Sequence, residues 1–144
     1  MLKRLLLGLA MTANIATAAQ LNLWEHEKDE DQKVLDELIK DFTAKYPRIK
    51  IKRSHYKTED LRSQFQTAAL GGGGADLVIA PNDFAGPFSV MQIIKPVNSY
   101  IKANRFYQTV TASVKDPSGK IWGVPLSNGN HLMLFINKKL VPTP

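Results

Sequence analysis

The fold is decided by residues 71–87, which read GGGGADLVIAPNDFAGP. The four glycines end the helix that precedes them, because each glycine costs about 1 kcal/mol relative to alanine inside a helix. The apolar run Leu77–Ala80 is typical of a strand covered on both faces, and we expect it at the centre of the sheet. Pro81 ends that strand, since it has no N–H for the ladder. The polar turn Asn82–Asp83 follows, where α/β sheets present ligand-binding loops.

Two strands and two helices are predicted before this stretch. Leu21–Trp24 and Ile49–Lys52 alternate apolar and polar residues, as strands do, and between them the apolar residues of Gln32–Lys45 recur at helical spacing. A second amphipathic helix has Thr58 as its predicted N-cap and ends at the glycines. A β-α-β order needs a crossover connection, which predicts parallel strands with a helix packed on the sheet. The sequence therefore predicts an α/β fold.

The chain is less regular beyond residue 87. Asp116–Gly119 reads DPSG, a strong turn signal, and the apolar segment Ile121–Pro125 after it predicts a β-hairpin. A polar loop over Ser127–Asn130 follows. Leu132–Asn137 is the last predicted strand.

The N-terminus has the features of a signal peptide. A basic pair, Lys3–Arg4, precedes the apolar segment Leu5–Met11 and the small-residue cleavage site Ala16–Ala18. The apolar segment is too short to span a bilayer. We therefore expect residues 1–18 to be removed on export and residues 19–144 to form the mature domain.

Composition excludes several classes of site. The chain contains no cysteine, which excludes disulfides, thiolate metal sites, a cysteine nucleophile and the acylated cysteine of a lipoprotein. The net charge is +6, and +4 without residues 1–18, but the basic residues are spread along the chain. Their densest cluster, Lys50, Lys52 and Arg53, lies on a predicted strand and favours a solvated edge over a nucleic-acid surface. We expect a soluble periplasmic protein with no nucleic-acid partner.

Motifs for catalysis or metal binding are weak. The glycine run follows a helix and opens a strand, the reverse of a phosphate-binding loop. The acidic segment Glu25–Asp31 lacks the spacing of a calcium loop, and solvated charge at a helix start is the favoured interpretation. His26, His55 and His131 do not stand at metal-ligand spacing. We predict no enzyme, catalytic residue, metal or cofactor, and a periplasmic metal-binding protein or enzyme built on the His26 loop stays open as an alternative.

Polar loops follow the predicted strands and should gather at one edge of the sheet, because parallel strands end on the same side. They carry carboxylates, amides, an imidazole and a hydroxyl, with the rings of Trp24, Tyr56 and Phe84 close by. Such a mixture suits a neutral sugar, although ordinary solvated loops are the alternative. The four loops are Glu25–Asp29, His55–Thr58, Pro81–Phe84 and Ser127–Asn130.

Seven short segments, each weak alone, form a specific pattern through their order and spacing. They are LNLW at 21–24, FTAKYP at 42–47, IKI at 49–51, QTAA at 66–69, ADLVIA at 75–80, KIWGVP at 120–125 and LFINKKL at 134–140. With them the mature chain resembles the N-terminal part of bacterial extracellular solute-binding proteins of the maltose-binding type. The resemblance implies the first lobe of a two-lobed periplasmic-binding-protein-like clamp (type II), with a mostly parallel sheet and helices on both faces. It implies a monomer that binds a carbohydrate and delivers it to the permease of an ABC transporter.

Matched positions imply the ligand contacts. These are His26, Glu27, Lys28 and Asp29 after the first strand, Tyr56 after the second, Asp83 and Phe84 after the third, and Ser127, Asn128 and Asn130 in the last loop. We add Asn82 from the polar turn. Ala80 and Phe84 stand where maltose-specific members have tryptophan and arginine, which argues against maltose itself. Because the chain ends where the crossover to the second lobe should begin, we expect a first-lobe fragment with weak or absent sugar binding. A truncated, non-functional remnant is the alternative.

Overall fold

A computed structural model describes residues 18–127 and 136–140 of the chain. The chain divides into two compact units, with the boundary between Ala80 and Pro81. The predicted signal peptide, apart from its last residue, and most of the predicted strand Leu132–Asn137 lie outside the described residues. Within the described ranges, every helix is too short or too polar to cross a membrane. The assignment of residues 19–144 to a single lobe stays a prediction.

In its described residues, from 18 to 80, the first unit is a three-stranded sheet with two helices. Both strand pairings are parallel and the strand order is β2-β1-β3, so the predicted α/β fold and its β-α-β unit are confirmed. The helices end where the sequence predicts, one before the Tyr46-Pro47 pair and the other at the glycines. The elements are β1 (Ala19–Glu25), α1 (Asp29–Lys45), β2 (Ile49–His55), α2 (Thr58–Leu70) and β3 (Leu77–Val78).

Helices pack on both faces of this sheet, as expected. Side chains alternate along β1, so Glu25 lies on one face and Trp24 on the other. The ring of Trp24 lies 6.3 Å from that of Phe65 in α2. On the opposite face, the β2 residue Arg53 bonds to Glu25 and to Asp36 of α1. The two helices therefore cover different faces of the sheet.

The prediction that Leu77–Ala80 is fully buried is wrong, while its predicted central position stays a prediction, since most of the predicted strand Leu132–Asn137 lies outside the described residues. In the described part of the chain β1 is the central strand, and β3 is a two-residue strand at an edge with Leu77 50% exposed. Bonds from Asp76 N to Asn22 O and from Ile79 N to Trp24 O, both 2.9 Å, extend its pairing with β1. An apolar run records hydrophobicity alone. Burial also requires neighbouring elements, and within the described residues β3 pairs with β1 alone.

The two helices differ in how deeply their apolar stripes are buried. In α2, Leu61 and Phe65 are buried and belong to the core of the first unit. In α1, by contrast, no residue is fully buried, and Val34 and Leu38 are 56% and 61% exposed. The helical prediction for α1 is confirmed, while the inward stripe expected there is only partly covered by the described residues.

The second unit contains two short helices, α3 (Ala85–Val90) and α4 (Gln108–Ala112), and two turns of 3₁₀ helix, Asn82–Phe84 and Ala103–Arg105. An antiparallel bridge joins Lys115 to Ile121 across the predicted turn, which confirms the hairpin over one residue pair. Among the described residues of this unit, the buried apolar side chains are Phe84, Phe88, Val114 and Ile121.

The turn of this hairpin is organised by Asp116. Its carboxylate accepts hydrogen bonds from the Ser118 hydroxyl at 2.7 Å, from the backbone N–H of Lys120 at 3.0 Å and from Trp122 Nε1–H at 2.9 Å. The Ser118 and Trp122 bonds lower the pKa of Asp116 to about 2, because they stabilise the charged form. Gly119 has a φ of +89°, which favours glycine at this turn position.

Candidate functional site

An open cleft of about 620 Å³ lies beyond the carboxyl ends of β1 and β2. One wall is the loop after β1 with the first turn of α1, and the other is the loop after β2 with the first turn of α2. The structure therefore brings together the five predicted site residues of the first unit, His26–Asp29 and Tyr56. The cleft is lined by His26, Glu27, Lys28, Asp29, Glu30, His55, Tyr56, Lys57 and Thr58.

Backbone hydrogen bonds hold the two walls. The N–H of Tyr56 donates to the carbonyl of Glu25 at 2.9 Å, so the parallel ladder continues one residue past β2. The Gln32 N–H donates to the carbonyl of Lys28 at 2.8 Å, and the Gln32 side-chain amide donates to the carbonyl of Glu27 at 3.0 Å. The loop after β1 is thus fixed at its start by the sheet and at its end by α1.

A side-chain contact joins the walls across the cleft. Thr58 Oγ1 lies 3.2 Å from Nδ1 of His26. The predicted N-cap role of Thr58 is wrong by one residue, because α2 begins at Thr58 and its N-cap is Lys57, without a side-chain capping bond. The Thr58 hydroxyl is therefore used to hold the His26 ring rather than to cap the helix.

An aromatic ring is fixed in the cleft from behind. The Tyr56 ring, which is partly exposed, lies 4.8 Å from the Trp24 ring at an interplanar angle of 42°. Trp24 in turn packs edge-on against the buried Phe65. Aromatic pairs with this spacing contribute about 0.5–1.5 kcal/mol beyond their buried area. Tyr56 therefore presents an apolar face whose position is set by the core of the first unit.

Glu25 is the residue that the sequence interpretation misplaced. The acidic segment Glu25–Asp31 was predicted to be solvated, but Glu25 is the last residue of β1 and is 0% exposed. Its carboxylate bonds to Arg53 Nη1 at 2.7 Å and accepts from the N–H of Glu27 at 2.7 Å. The signal that identifies it is the strand alternation, because Glu25 stands two residues after the buried Leu23 and shares its face.

The lining of the cleft carries both signs of charge. Lys28 and Lys57 contribute cations, while Glu27, Asp29 and Glu30 contribute carboxylates. Imidazole, hydroxyl and phenol groups stand between them. A lining that mixes donors and acceptors without one dominant sign suits a neutral polyhydroxylated ligand better than an anion or a cation.

The histidines of the described chain are occupied by other contacts. His26 meets Thr58, and His55 Nδ1 lies 3.2 Å from Glu25 Oε2 and 3.3 Å from Gln32 Nε2. Among residues 18–127 and 136–140 there is no group of three or more His, Cys, Asp or Glu side chains placed to hold a metal ion. His131 lies outside the described residues. The metal-binding alternative built on the His26 loop stays a prediction.

The remaining predicted site residues belong to the second unit or lie outside the description. Asn82 and Asp83 are exposed on their 3₁₀ turn, and Asn82 Nδ2 donates to the Ser113 carbonyl at 3.4 Å. Phe84 is buried, with its ring 5.7 Å from that of Phe88, so a sugar contact would require its ring to leave that core. Ser127 is exposed. Asn128 and Asn130 lie outside the described residues, and the contacts assigned to this whole group stay predictions.

Comparison with known proteins supports the predicted family. The family described as bacterial extracellular solute-binding protein matches residues 27–144. A maltotriose-binding protein from Pyrococcus abyssi is 23% identical over 124 residues, which cover 85% of this chain and 27% of the relative. The chain thus spans about a quarter of the length of this relative.

Solved structures agree with this comparison. A maltose/maltodextrin-binding domain from Bdellovibrio bacteriovorus, bound to maltotriose, is 31% identical with a TM-score of 0.62, over 72% of this chain and 27% of that one. A maltotriose-binding protein from Thermus thermophilus is 20% identical with a TM-score of 0.67, over 73% and 28%, and shows the shared fold. The periplasmic-binding-protein-like fold is therefore confirmed. The chain belongs to the bacterial extracellular solute-binding protein family.

Proposed function

We propose that this chain contributes to a carbohydrate site in the substrate-binding component of an ABC importer. The observation that carries the proposal is the cleft of the first unit, in which the Tyr56 ring packs on Trp24 and lines one wall among mixed polar groups. Relatives named for maltotriose binding, and a structure with maltotriose bound, support a carbohydrate as the ligand.

The chemistry of the cleft supports a neutral sugar in particular. A sugar ring has an apolar C–H face that packs on an aromatic side chain such as Tyr56. Its hydroxyl groups both donate and accept, so they are matched by carboxylates, ammonium groups and the partly exposed His26. Hydrogen bonds to charged groups contribute about 1.5–3 kcal/mol each. One aromatic surface and several charged partners therefore supply one part of a carbohydrate site.

Membership of the same family supports a transport role. In the complete protein, the sugar bound here would be delivered to the permease subunits in the membrane, and binding rather than catalysis would be its activity. We propose that the mature protein acts as a monomer in the periplasm after residues 1–18 are removed. The extracellular description of the family supports export. Ala80 and Phe84, where maltose-specific members carry tryptophan and arginine, argue for a sugar other than maltose.

The chain alone should bind sugar weakly, because it spans about a quarter of its relative's length and supplies one part of the site. The test is a titration of the ¹⁵N-labelled 144-residue chain with maltotriose and, separately, mannotriose, followed by amide chemical shifts. We expect shifts at His26–Glu30 and His55–Thr58, with a Kd of about 1 mM. Unshifted cleft amides at about ten times that concentration would contradict the site, and micromolar affinity would contradict the partial-site proposal.

Two variants make this titration specific. Tyr56→Ala should abolish the shifts by removing the aromatic face, whereas Tyr56→Phe should retain most of the binding. Tyr107→Ala is the matched control, because Tyr107 lies in the second unit and is 84% exposed. Equal binding by the Tyr56→Ala and Tyr107→Ala chains would place the sugar elsewhere.

A further inference from the structure

Glu25 has a carboxylate that is surrounded by donors. Arg53 Nη1 lies 2.7 Å from Oε1, while the Glu27 N–H and His55 Nδ1 lie 2.7 Å and 3.2 Å from Oε2. The side chain is completely buried, so water does not complete this set. An ionised carboxylate only accepts hydrogen bonds. Each partner must therefore present a hydrogen to it, and for His55 that hydrogen is on Nδ1.

A second contact of His55 competes with this assignment. Gln32 Nε2 lies 3.3 Å from Nδ1 and would donate to it if Nδ1 carried no proton. The amide orientation is set by other bonds, since Gln32 Oε1 accepts from Arg53 at 3.1 Å and Nε2 donates to the Glu27 carbonyl at 3.0 Å. A hydrogen bond to a charged acceptor is roughly twice as strong as a neutral one. The Glu25 contact therefore outweighs that of Gln32, and Nδ1 is the protonated nitrogen.

This tautomer has a consequence for the cleft. With Nδ1 turned to Glu25, the other ring nitrogen, Nε2, lies on the opposite side of the imidazole and carries a lone pair. His55 lines the cleft, and its side chain is 45% exposed. Sugar hydroxyls can donate to such a nitrogen. The sequence prediction of ligand contacts did not include His55 itself.

We propose that Glu25 is a positioning residue that fixes His55 in the Nδ1–H tautomer, so that His55 Nε2 accepts a hydrogen bond from a sugar hydroxyl. The sugar-contact part rests on the proposed function, while the tautomer part does not. Because the Glu27 N–H shares the same carboxylate, Glu25 couples the two walls of the cleft: one oxygen holds both the loop after β1 and the imidazole after β2.

The tautomer is measured by long-range ¹H–¹⁵N correlation of the imidazoles in the labelled chain. Spectra are recorded near pH 8, about 1.5 units above the ordinary imidazole pKa, with His26→Gln and His131→Gln variants for assignment. We expect the Nδ1–H signature for His55 in the unsubstituted chain. An Nε2–H or an imidazolium signature at His55 would overturn the proposal without any substitution at Glu25.

Three variants test the cause of the tautomer. Glu25→Gln should lose the single Nδ1–H signature, whereas Asp36→Asn, which removes the other acidic partner of Arg53, should retain it. Gln32→Ala should also retain it, since the competing amide is then absent. The same signature in Glu25→Gln as in the unsubstituted chain, or its loss in Gln32→Ala, would show that Glu25 is not the positioning residue.

Maltotriose serves as the probe of the sugar contact. We expect the His55 Nε2 resonance to shift on its addition while Nδ1 stays, and His55→Phe to weaken binding by roughly three- to tenfold, the range for one neutral hydrogen bond. Amide shifts in the cleft with an unmoved Nε2 would overturn the His55 contact and leave the carbohydrate site intact. Absent amide shifts would overturn the proposed function, while the tautomer is decided by the spectra without sugar.

Discussion

Replacing Glu25 by glutamine removes one charge from a fully buried position while it changes the side-chain volume very little. The carboxylate accepts from three donors, on Arg53, Glu27 and His55. An amide offers one oxygen and one NH₂ group, and the NH₂ must face a donor in either orientation. At least one partly buried donor therefore loses its acceptor, which costs about 1–3 kcal/mol.

The ion pair between Arg53 and Glu25 sets the upper bound on the free-energy cost of this substitution. Removing one partner of a buried salt bridge costs about 3–5 kcal/mol when the other charge is left uncompensated. The charge of Arg53 is not left uncompensated, because Asp36 stays 2.9 Å away and the arginine side chain is 22% exposed. We therefore expect Glu25→Gln to lower the free energy of unfolding by about 2–3 kcal/mol.

Urea unfolding followed by far-UV circular dichroism measures this loss. With a slope of about 1–3 kcal/mol per molar urea, the midpoint should fall by about 1 M. Asp36→Asn is the matched control: it removes the other carboxylate of Arg53, but that side chain is 57% exposed, so the loss should stay within about 1 kcal/mol. If Glu25→Gln unfolds at the same urea concentration as Asp36→Asn, the buried network does not stabilise the first unit as argued.

Three other substitutions test the turn at Asp116 and two of the glycines. The pKa of Asp116 is lowered to about 2, so the folded-state value lies below the unfolded one. Its contribution to stability is present above about pH 4 and is lost as the pH falls toward 2, and Asp116→Asn should flatten this acid dependence in unfolding curves that report on Trp122. An unchanged acid slope would refute the role. Gly74 has a φ of +101° and an added Cβ would lie 3.1 Å from the Ala68 Cβ, so Gly74→Ala should destabilise by more than about 1 kcal/mol. Gly86→Ala, in open space within α3, should instead stabilise by about 0.5–1 kcal/mol, and a midpoint shift of the same sign for both would contradict this reading.

Local signals explain why the first unit was predicted well. Proline at position 47 and the glycines from 71 stop their helices by steric and entropic effects that act within a few residues. The alternation in β1 and β2 sets which side chains share a face, and the parallel pairing follows from the helix between them. These effects need no knowledge of distant residues, so the sequence predicts them and places His26–Asp29 and Tyr56 beside each other.

Exposure was predicted less well, because it depends on which elements are neighbours. Leu77 was expected to be fully buried and is 50% exposed, and Val34, which belongs to the apolar stripe of α1, is 56% exposed. Phe84 was expected as an aromatic surface for a sugar and is buried beside Phe88. The hydrophobicity of a residue indicates only that its burial is favourable. Whether a side chain finds cover is decided by chain far away in sequence.

Glu25 illustrates in one residue the difference between what the sequence predicts and what depends on distant residues. The sequence by itself determined the α/β fold, the two loops that form the cleft and the family to which the chain belongs, since those depend on local patterns in a specific order. Only the tertiary structure decided that an acidic residue at the start of a polar loop is buried, paired with Arg53 and turned to His55. The physical reason is that an isolated carboxylate is disfavoured inside a protein, and its partners stand 28 and 30 residues away on a strand brought alongside by folding.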